Sequence, residues 1–139
     1  MANTIHVDIV SAEGQIFSGE ATMLFVPGSQ GELGIYPRHA PLLTTLKAGE
    51  VRVQSDGQDE QSFYVGGGAL EIQPHLVTVL ADTAARARDL DEAAALSAKQ
   101  RAEDAVRERG DKVEIAEAQA ELLRAVAQLR AIERLRKKR

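Results

Sequence analysis

The sequence predicts an α+β chain in two parts, an N-terminal antiparallel β-sandwich and a C-terminal hairpin of two antiparallel helices. Apolar residues alternate with polar ones over short runs in the first 85 residues and recur at helical spacing afterwards. Composition changes at the same place. All four Pro, all five aromatic residues and ten of the eleven Gly precede residue 86, whereas 13 Ala follow it. We therefore expect domains at 1–85 and 86–139.

Five runs of alternating apolar and polar residues predict strands with one buried face, at 5–9, 51–53, 63–65, 70–72 and 77–79. Asp56 and Gly57 separate two of these runs and suit a tight hairpin turn. Gly66, Gly67 and Gly68 separate another two, which predicts a bend or bulge. Short strands divided by turn residues are typical of a sandwich or a barrel.

Two capping patterns predict where the helices begin. Asp89 is followed three residues later by Glu92, and Asp111 by Glu114, which is the spacing of a capping box. Gly110 suits the end of the first helix. The apolar stripe of the first helix is predicted to consist of Leu90, Ala94, Ala98, Ala102 and Ala105. The second helix is predicted over 112–138, with the stripe Ile115, Ala118, Leu122, Val126, Leu129 and Ile132.

The first helix presents mainly alanine to the second. Alanine lets helices approach closely but buries little area, and apolar burial stabilises by only about 25 cal/mol per Å². We therefore expect the hairpin to be weakly held, both internally and against the sandwich, and to be able to move.

The composition excludes several classes of protein. The chain has no Cys, so it can hold no disulfide, thiol nucleophile or Cys-ligated metal. No apolar run reaches the roughly 20 residues of a membrane-spanning helix. The N-terminus lacks the pattern of a secretory signal, so we expect a soluble protein of a reducing compartment. The net charge of −4 argues against general affinity for nucleic acid.

No pattern of residues indicates an enzyme. Gly28, Gly31 and Gly34 are spaced like the glycines of a phosphate-binding loop, but no helix start follows them. The His residues at 6, 39 and 75 have no partner at metal-ligand spacing on a predicted helix. The nucleophile motif G-x-S-x-G is absent. A small hydrolase that uses His39 is one alternative.

The C-terminus carries a cluster of cations, namely Arg134, Arg136, Lys137, Lys138 and Arg139. Two interpretations are open. In one, the cations only complement the dipole at the end of a solvated helix. In the other, they bind an acidic partner. Nucleic acid is disfavoured, because no aromatic residue lies among the cations and the first part of the chain is acidic.

The segment GELGIYPRHAPLL at 31–43 combines spaced Gly, two Pro and one His in a fixed order. It closely resembles the signature of the epsilon subunit family of bacterial F-type rotary ATP synthases. The runs HVDIVSAE at 6–13, VTVLADTA at 77–84 and AVAQLR at 125–130 extend the resemblance over nearly the whole chain. The family's sandwich has ten strands, so the resemblance implies about ten strands here.

The resemblance also implies a role and partners. Members of this family are non-catalytic subunits of the central stalk that bind the gamma subunit and the c ring and couple proton transport to ATP synthesis. The residues that match the family's c-ring contact are Ser29, Gln30, Gly31 and Glu32. Those that match its gamma contact are His39, Ala40, Pro41, Leu42 and Leu43. We expect a monomer in isolation, held at the cytoplasmic face of the bacterial inner membrane only through the complex.

The helical hairpin resembles the family's regulatory element. In the compact form it packs on the sandwich. In the extended form it reaches along gamma between the alpha and beta subunits and inhibits ATP hydrolysis. The resemblance therefore favours partner binding as the role of the C-terminal cations. We call these cations the tail; they are Arg134, Arg136, Lys137, Lys138 and Arg139.

Some members of the family bind ATP on the compact hairpin. Two arginines of their motif are replaced here by Ala94 and Gln128, which removes charge-assisted contacts to phosphate. We therefore expect no cofactor, with Asp91 and Arg124 as the only candidates for weak ATP binding.

One alternative belongs to a different class of protein. A stand-alone β-sandwich binding module with a helical oligomerisation hairpin would show the same patterns. It would form stable homo-oligomers, whereas the stalk subunit would be monomeric on its own.

Overall fold

The structure, a computed structural model, describes residues 3–108 and 112–137. Its strands are β1 (Ile5–Ser11), β2 (Gly14–Ala21), β3 (Met23–Gly28), β4 (Gly31–Ile35), β5 (Leu42–Gln54), β6 (Gln61–Ile72), β7 (Leu76–Ala81) and β8 (Ala84–Arg86). A 3-10 turn (Ala87–Asp89) leads into the helices α1 (Glu92–Arg107) and α2 (Lys112–Lys137). The predicted β-sandwich followed by two helices is confirmed.

The strands hydrogen-bond in the order β2-β1-β7-β6-β5-β3-β4, with β8 added beside β6. Their pairings are antiparallel except that β1 and β7 run parallel. The sheet folds over on itself, because the Phe17 ring on β2, at one end of the order, packs edge-on against the Phe63 ring on β6 at 5.3 Å between centroids. The result is two layers that share one core.

β5 and β6 run through both layers, and the sheet turns the corner at their middle. Leu46 pairs with Gly68 and Ala48 with Gly66, so Lys47 and Gly67 face each other at the bend. The described residues form eight strands where about ten were expected, since each of these two long strands is continuous around the corner. Of the bend or bulge predicted at residues 66–68, the structure has the bend, because the β5–β6 register is unbroken on both sides of these glycines and Gly67 and Gly68 take φ of 101° and 141°.

The core is aliphatic, as the low aromatic content predicts. It takes the inward-facing residues of every alternating run, for example Val7 and Ile9 from β1, Val51 and Val53 from β5, and Val77 from β7. Asp56 and Gly57 form a turn closed by the hydrogen bond from the Gln58 N–H to the Ser55 carbonyl at 3.3 Å, but six residues, 55–60, connect β5 to β6, so the hairpin is wider than the tight one predicted. Gly57 adopts φ of 71°, which a glycine takes without strain.

The first helix begins later than predicted. Its N-cap is Asp91, whose carboxylate accepts a hydrogen bond from the Ala94 backbone N–H at 3.1 Å. Asp89, the predicted cap, lies instead in the 3-10 turn, because the chain leaving β8 makes one tight turn before the helix starts. The predicted cap Asp111 and the helix end at Gly110 lie outside the described residues. The second helix agrees with its predicted span up to Lys137.

The apolar stripe of α1 also differs from the prediction. Ala95 and Ala102 are buried and Ala98 is half-buried, whereas Ala94 and Ala105 are exposed. The start of the helix at Glu92 sets which face meets α2, and this face lies one residue from the predicted stripe at the N-terminal end. The contact still consists of alanine, so the inference that it buries little area holds.

α2 uses two faces because it lies between α1 and the sandwich. Ala118 and Ala125 are on the face toward α1, and the ion pair between Arg136 and Glu92 joins the end of α2 to the start of α1. The antiparallel arrangement of the hairpin follows from this pair. The hairpin is in its compact position, with α2 packed on β5 and β6.

Candidate functional site

The predicted c-ring segment, Ser29 to Glu32, forms the tip of the hairpin between β3 and β4. Gly28 pairs directly with Gly31, so Ser29 and Gln30 are the two turn residues and both are exposed. Gly31 has φ of 136°, and a Cβ on Gly28 would lie 2.7 Å from the Gly31 carbonyl oxygen. The tight turn therefore depends on glycine at both positions.

Two further contacts hold this tip rigidly on the sandwich. The Ser29 backbone N–H donates to the Thr45 carbonyl at 3.0 Å, and the Thr45 hydroxyl donates to the Ser29 hydroxyl at 2.9 Å. The Glu32 carboxylate is exposed but is paired with the Arg52 guanidinium at 3.1 Å. The tip thus presents backbone and a carboxylate to a partner from a fixed position.

The predicted gamma segment, His39 to Leu43, follows a turn at Pro37 and Arg38. Arg38 has φ of 66°, which is unusual for a residue other than glycine, and its N–H donates to the Pro74 carbonyl at 3.0 Å. His39 Nδ1 lies 2.7 Å from the Ala40 carbonyl oxygen. Because a carbonyl only accepts, Nδ1 carries the proton. His39 is bonded to backbone here, which gives no support to the hydrolase alternative.

An exposed apolar surface adjoins this segment. Tyr36 and Leu43 are 61% and 74% exposed, and Leu80 on β7 is 51% exposed. Leu43 and Leu80 lie on strands that flank β6, and their side chains share the outer face of one layer. Large exposed apolar residues grouped on one face indicate a surface that another protein covers.

The described cations of the tail are all paired within the chain. Arg134 lies 3.8 Å from Glu50 and 3.9 Å from Glu60, both on the sandwich. Arg136 pairs with Glu92 on α1, and Lys137 with Glu133 at 3.3 Å. Lys138 and Arg139 lie outside the described residues. In the compact position, therefore, Arg134 connects α2 to the sandwich and Arg136 connects it to α1, whereas the partner of Lys137 lies on α2 itself.

The face of α2 toward the sandwich crosses β6 at Tyr64 and Gly66. A Cβ on Gly66 would lie 3.4 Å from Cδ of Arg124, so the helix approaches this glycine closely. The Tyr64 hydroxyl is buried and makes no hydrogen bond of good geometry, although Thr83 and Gln128 lie beside it. Burial raises the pKa of Tyr64. An imperfectly satisfied hydroxyl under the helix weakens this contact further.

A cleft of about 630 Å³ lies between the two helices and the strands β6 and β8. Arg124 and Gln128 line it, as does Arg101 of α1, which the sequence reasoning did not single out. Asp91 does not line the cleft, and its carboxylate is used as the helix cap. The structure therefore does not bring the two ATP candidates, Asp91 and Arg124, to one site. Arg101 is found by following the helical period from Ala98, three residues before it.

The sequence reasoning also missed the sandwich residues that hold the tail, Glu50 and Glu60. Glu50 is one of the outward-facing residues of β5, since Val51 and Val53 point inward. That signal places Glu50 on the outer face but does not say which outer face a helix will cover.

Within residues 3–108 and 112–137, no group of three His, Asp or Glu side chains is arranged to hold a metal ion. No helix in the same part of the chain combines the length and the apolar character that a membrane span requires.

The fold and its surfaces define a two-part docking protein, with a rigid sandwich that presents a fixed hairpin tip and an apolar face, and a helical arm held by small residues and ion pairs. Comparison with known families assigns both parts. Residues 4–87 match the family described as ATP synthase, Delta/Epsilon chain, beta-sandwich domain. Residues 88–133 match the one described as ATP synthase, Delta/Epsilon chain, long alpha-helix domain. The chain belongs to the ATP synthase delta/epsilon family.

Curated relatives match over their full length. The chain is 64% identical over 138 residues to the ATP synthase epsilon chain of Nitrosococcus oceani, covering 99% of each chain. It is 60% identical over 139 residues to ATP synthase epsilon chain 1 of Methylococcus capsulatus, covering 100% of this chain and 99% of the relative. The resemblance to the epsilon family that the sequence motifs indicated is confirmed.

Solved structures share the fold. A chain in the cryo-EM structure of the Euglena gracilis mitochondrial ATP synthase matches with a TM-score of 0.78 at 17% identity, covering 96% of this chain and 81% of that one. A chain in the central stalk and c-ring structure from Tetrahymena thermophila matches with a TM-score of 0.67 at 10% identity, covering 92% and 96%.

Proposed function

We propose that this chain is the epsilon subunit of a bacterial F-type ATP synthase and works in the central stalk, where it helps to couple proton transport to ATP synthesis and restrains ATP hydrolysis. The observation that carries the proposal is the end-to-end similarity to bacterial epsilon chains, over both the sandwich and the arm. The subunit is non-catalytic, and it works at the cytoplasmic face of the inner membrane as a peripheral part of the complex.

Two surfaces of the sandwich serve as docking sites in this proposal. The β3–β4 tip, comprising Ser29, Gln30, Gly31 and Glu32, meets the c ring. A tip with a rigid backbone and one carboxylate suits the polar loops of such a ring. The segment comprising His39, Ala40, Pro41, Leu42 and Leu43 meets gamma. The exposed Leu43 and its neighbour Leu80 supply the apolar area that a stable protein interface requires.

The helical arm supplies the regulation. In the compact position α2 is held by alanine contacts and by partly exposed ion pairs, and each such pair is worth about 0.2–1 kcal/mol. Two arrangements of the arm that differ by a few kcal/mol satisfy the requirement for a switch. Once released, the tail cations Arg134, Arg136, Lys137, Lys138 and Arg139 bind acidic surfaces of the alpha and beta subunits and resist rotation in the hydrolysis direction.

The proposal is tested with a chain that ends at Asp89. This chain keeps β8, whose Arg86 donates to the Ile16 carbonyl at 3.2 Å and stacks over the Phe63 ring, so the sandwich retains its own contacts. We expect it to fold, to be monomeric, and to co-purify with gamma and the c ring. ATP hydrolysis by the assembled complex should be faster with this chain than with the full chain.

A chain that ends at Thr83 is the control, because it lacks β8 and uncovers Phe63. Failure of the chain ending at Asp89 to co-purify with gamma would remove the stalk assignment. Equal rates of ATP hydrolysis with the truncated and the full chain would remove the regulatory role alone.

A further inference from the structure

Five charged side chains of alternating sign connect the β3–β4 tip to the tail of α2. In order they are Glu32, Arg52, Glu60, Arg134 and Glu50, and we refer to them as the charge chain. Arg52 lies 3.1 Å from Glu32 and 3.8 Å from Glu60. Arg134 lies 3.9 Å from Glu60 and 3.8 Å from Glu50. The two proposed working parts of the protein, the tip and the tail, are therefore joined by a continuous electrostatic path.

Arg52 is shared between two carboxylates. Its two terminal nitrogens point to different partners, since Nη2 contacts Glu32 and Nη1 contacts Glu60. Its guanidinium stacks on the Phe25 ring, with Cζ 4.1 Å from the ring centroid, and its side chain is only 16% exposed. The ring therefore limits the guanidinium to small rotations about its position. A rotation that strengthens its contact with one carboxylate weakens its contact with the other.

The inner part of the charge chain is largely screened from water. The side chains of Glu50 and Glu60 are 13% and 17% exposed, compared with 56% for Glu32. Gln54 donates to Glu60 at 2.9 Å, and the Ser62 hydroxyl donates to Glu50. Lower exposure strengthens the interactions of these two carboxylates, so a change in how Arg52 is shared alters the charge that Glu60 presents to Arg134, whose own side chain is 42% exposed.

We propose that Glu32 is coupled to the arm through Arg52 and Glu60, so that a cationic loop of a docking partner at the tip promotes release of α2. A partner cation that pairs with Glu32 takes the place of Arg52 Nη2. Arg52 then turns fully to Glu60 and neutralises it. Arg134 loses part of its attraction to the sandwich, and the arm opens more readily. By linkage, release of the arm strengthens docking at the tip by the same factor.

The identity of the docking partner rests on the proposed function, but the coupling is a property of the isolated chain and is tested there. The chain has no cysteine, so the variant Ala131→Cys carries a single thiol. Ala131 is 1% exposed and lies between Gln128 and Arg134 on the face of α2 toward the sandwich. A thiol reagent modifies this cysteine only when the arm opens, so the modification rate measures the open population over a wide range.

Glu32→Gln imitates neutralisation of the tip by a partner cation. We expect it to raise the modification rate about threefold, which corresponds to the contribution of one partly exposed ion pair. Glu13→Gln makes the same change at an exposed turn away from the charge chain and should leave the rate unchanged. Arg52→Gln removes the cation that competes with Arg134 for Glu60, so the rate should fall about threefold. In the Arg52→Gln background, Glu32→Gln should have no effect.

The last comparison separates coupling through Arg52 from a general effect of charge. An undiminished effect of Glu32→Gln in the Arg52→Gln background would overturn the proposal, as would equal rates for Glu32→Gln and Glu13→Gln. If Arg52→Gln does not fold, Arg52→Lys serves as the background, since one ammonium cannot bridge two carboxylates as the guanidinium does. There too, Glu32→Gln must lose most of its effect.

Co-purification of the full chain with gamma and the c ring is measured separately on the same variants. A chain that shows the coupling but does not join the stalk would contradict the proposed function and leave the coupling standing. A chain that joins the stalk but does not show the coupling would contradict the coupling and leave the proposed function standing.

Discussion

At the scale of single residues, the period of the strand decides which side chains can have a role on the surface. Along β5, Val51 and Val53 point into the core, so Glu50 and Arg52 must point outward. One outward residue reaches α2 and the other reaches the β3–β4 tip. The alternation that builds the core thus also delivers the groups that connect the two parts of the chain.

The corner between the layers depends on Gly68. Its φ is 141°, and a Cβ there would lie 2.1 Å from the Leu80 carbonyl oxygen, which belongs to the backbone and cannot turn aside. We expect Gly68→Ala to lower the free energy of unfolding by about 3 kcal/mol or more, as measured by denaturant titration.

Gly57→Ala is the matched control, since its φ is 71° and nothing lies within 4 Å of the added Cβ. It should cost only about 1 kcal/mol, for the left-handed conformation alone. An equal cost at both positions would show that the close approach at Gly68 is not the cause.

Asp8 gives the sandwich a dependence on acid. The hydrogen bond from Ser18 lowers the pKa of Asp8 below 3.8, partial burial opposes this, and His6, 2.9 Å away, adds to the lowering. A lowered pKa in the folded state stabilises the fold above about pH 3.8, and this stabilisation is lost as the pH falls through the folded pKa. Asp8→Asn should therefore lower the free energy of unfolding at pH 7 by less than about 1 kcal/mol, since the site is partly solvated.

Thermal unfolding of both chains from pH 7 to pH 3 measures this effect. The difference between the wild-type chain and Asp8→Asn should be constant down to about pH 4 and shrink below that. A difference that grows on acidification would contradict the assignment.

At the scale of elements, α2 is held on two sides by small residues. Toward α1 it meets Ala95 and Ala102, and toward the sandwich it places its own Ala131, each about 1% exposed. Alanine brings the backbones close, so the helices pack at short range and leave no room for a side chain as large as leucine. The same feature limits the stabilisation of the arm and makes it sensitive to volume.

Ala102→Leu tests this sensitivity. The added atoms must displace α2, and overpacking of this kind costs about 1–3 kcal/mol. We expect faster amide hydrogen exchange throughout α1 and α2, with the strands of the sandwich unchanged.

Ala105→Leu changes the same chemistry on the exposed side of α1 and should alter exchange by less than about 0.5 kcal/mol. If both substitutions accelerated exchange equally, the alanine contact would not be what holds the arm.

At the scale of the whole molecule, the charge is divided between the two parts. The first 85 residues carry three Lys or Arg against ten Asp or Glu, and the remainder carries 14 against 11. The compact position brings these opposite charges together through Arg134 on Glu50 and Glu60. A released arm is a cationic helix, about 39 Å long at 1.5 Å per residue, that needs another acidic surface.

Reversal of charge in the tail separates assembly from inhibition. We expect the double variant Arg134→Glu and Arg136→Glu to co-purify with gamma as the wild type does, because neither residue belongs to the docking segments proposed at 29–32 and 39–43. ATP hydrolysis by the assembled complex should rise about threefold or more, because two proposed attractive contacts of the tail with acidic surfaces of the alpha and beta subunits become repulsive.

The control is the double reversal of Lys99 and Arg107, whose described partners, Glu103 and Asp104, lie on α1 itself. It should change the rate of hydrolysis little. Equal rates of ATP hydrolysis for the two double variants would show that the tail is only the solvated end of a helix and binds no acidic partner.

Much of the fold could be predicted because its signals are local. The strand alternations, the Asp56-Gly57 turn, the glycine corner and the two helices each depend on residues within a few positions of one another. The family resemblance implied about ten strands and the described residues form eight, because the sequence does not show whether a long strand continues around a corner. The cap at Asp89 was wrong for a related reason, since the exit from β8 set where the helix could start.

By itself, the sequence determined the division into sandwich and helices, the weak alanine contact, and the family to which the chain belongs, because composition, periodicity and an ordered motif are properties of neighbouring residues. Only the tertiary structure decided that Arg134 meets Glu50 and Glu60, that Arg52 is shared with Glu32, and that Asp91 caps α1 while Arg124 lines the cleft. These pairs join residues up to 84 positions apart, and their meeting depends on which face of the sheet the helix covers.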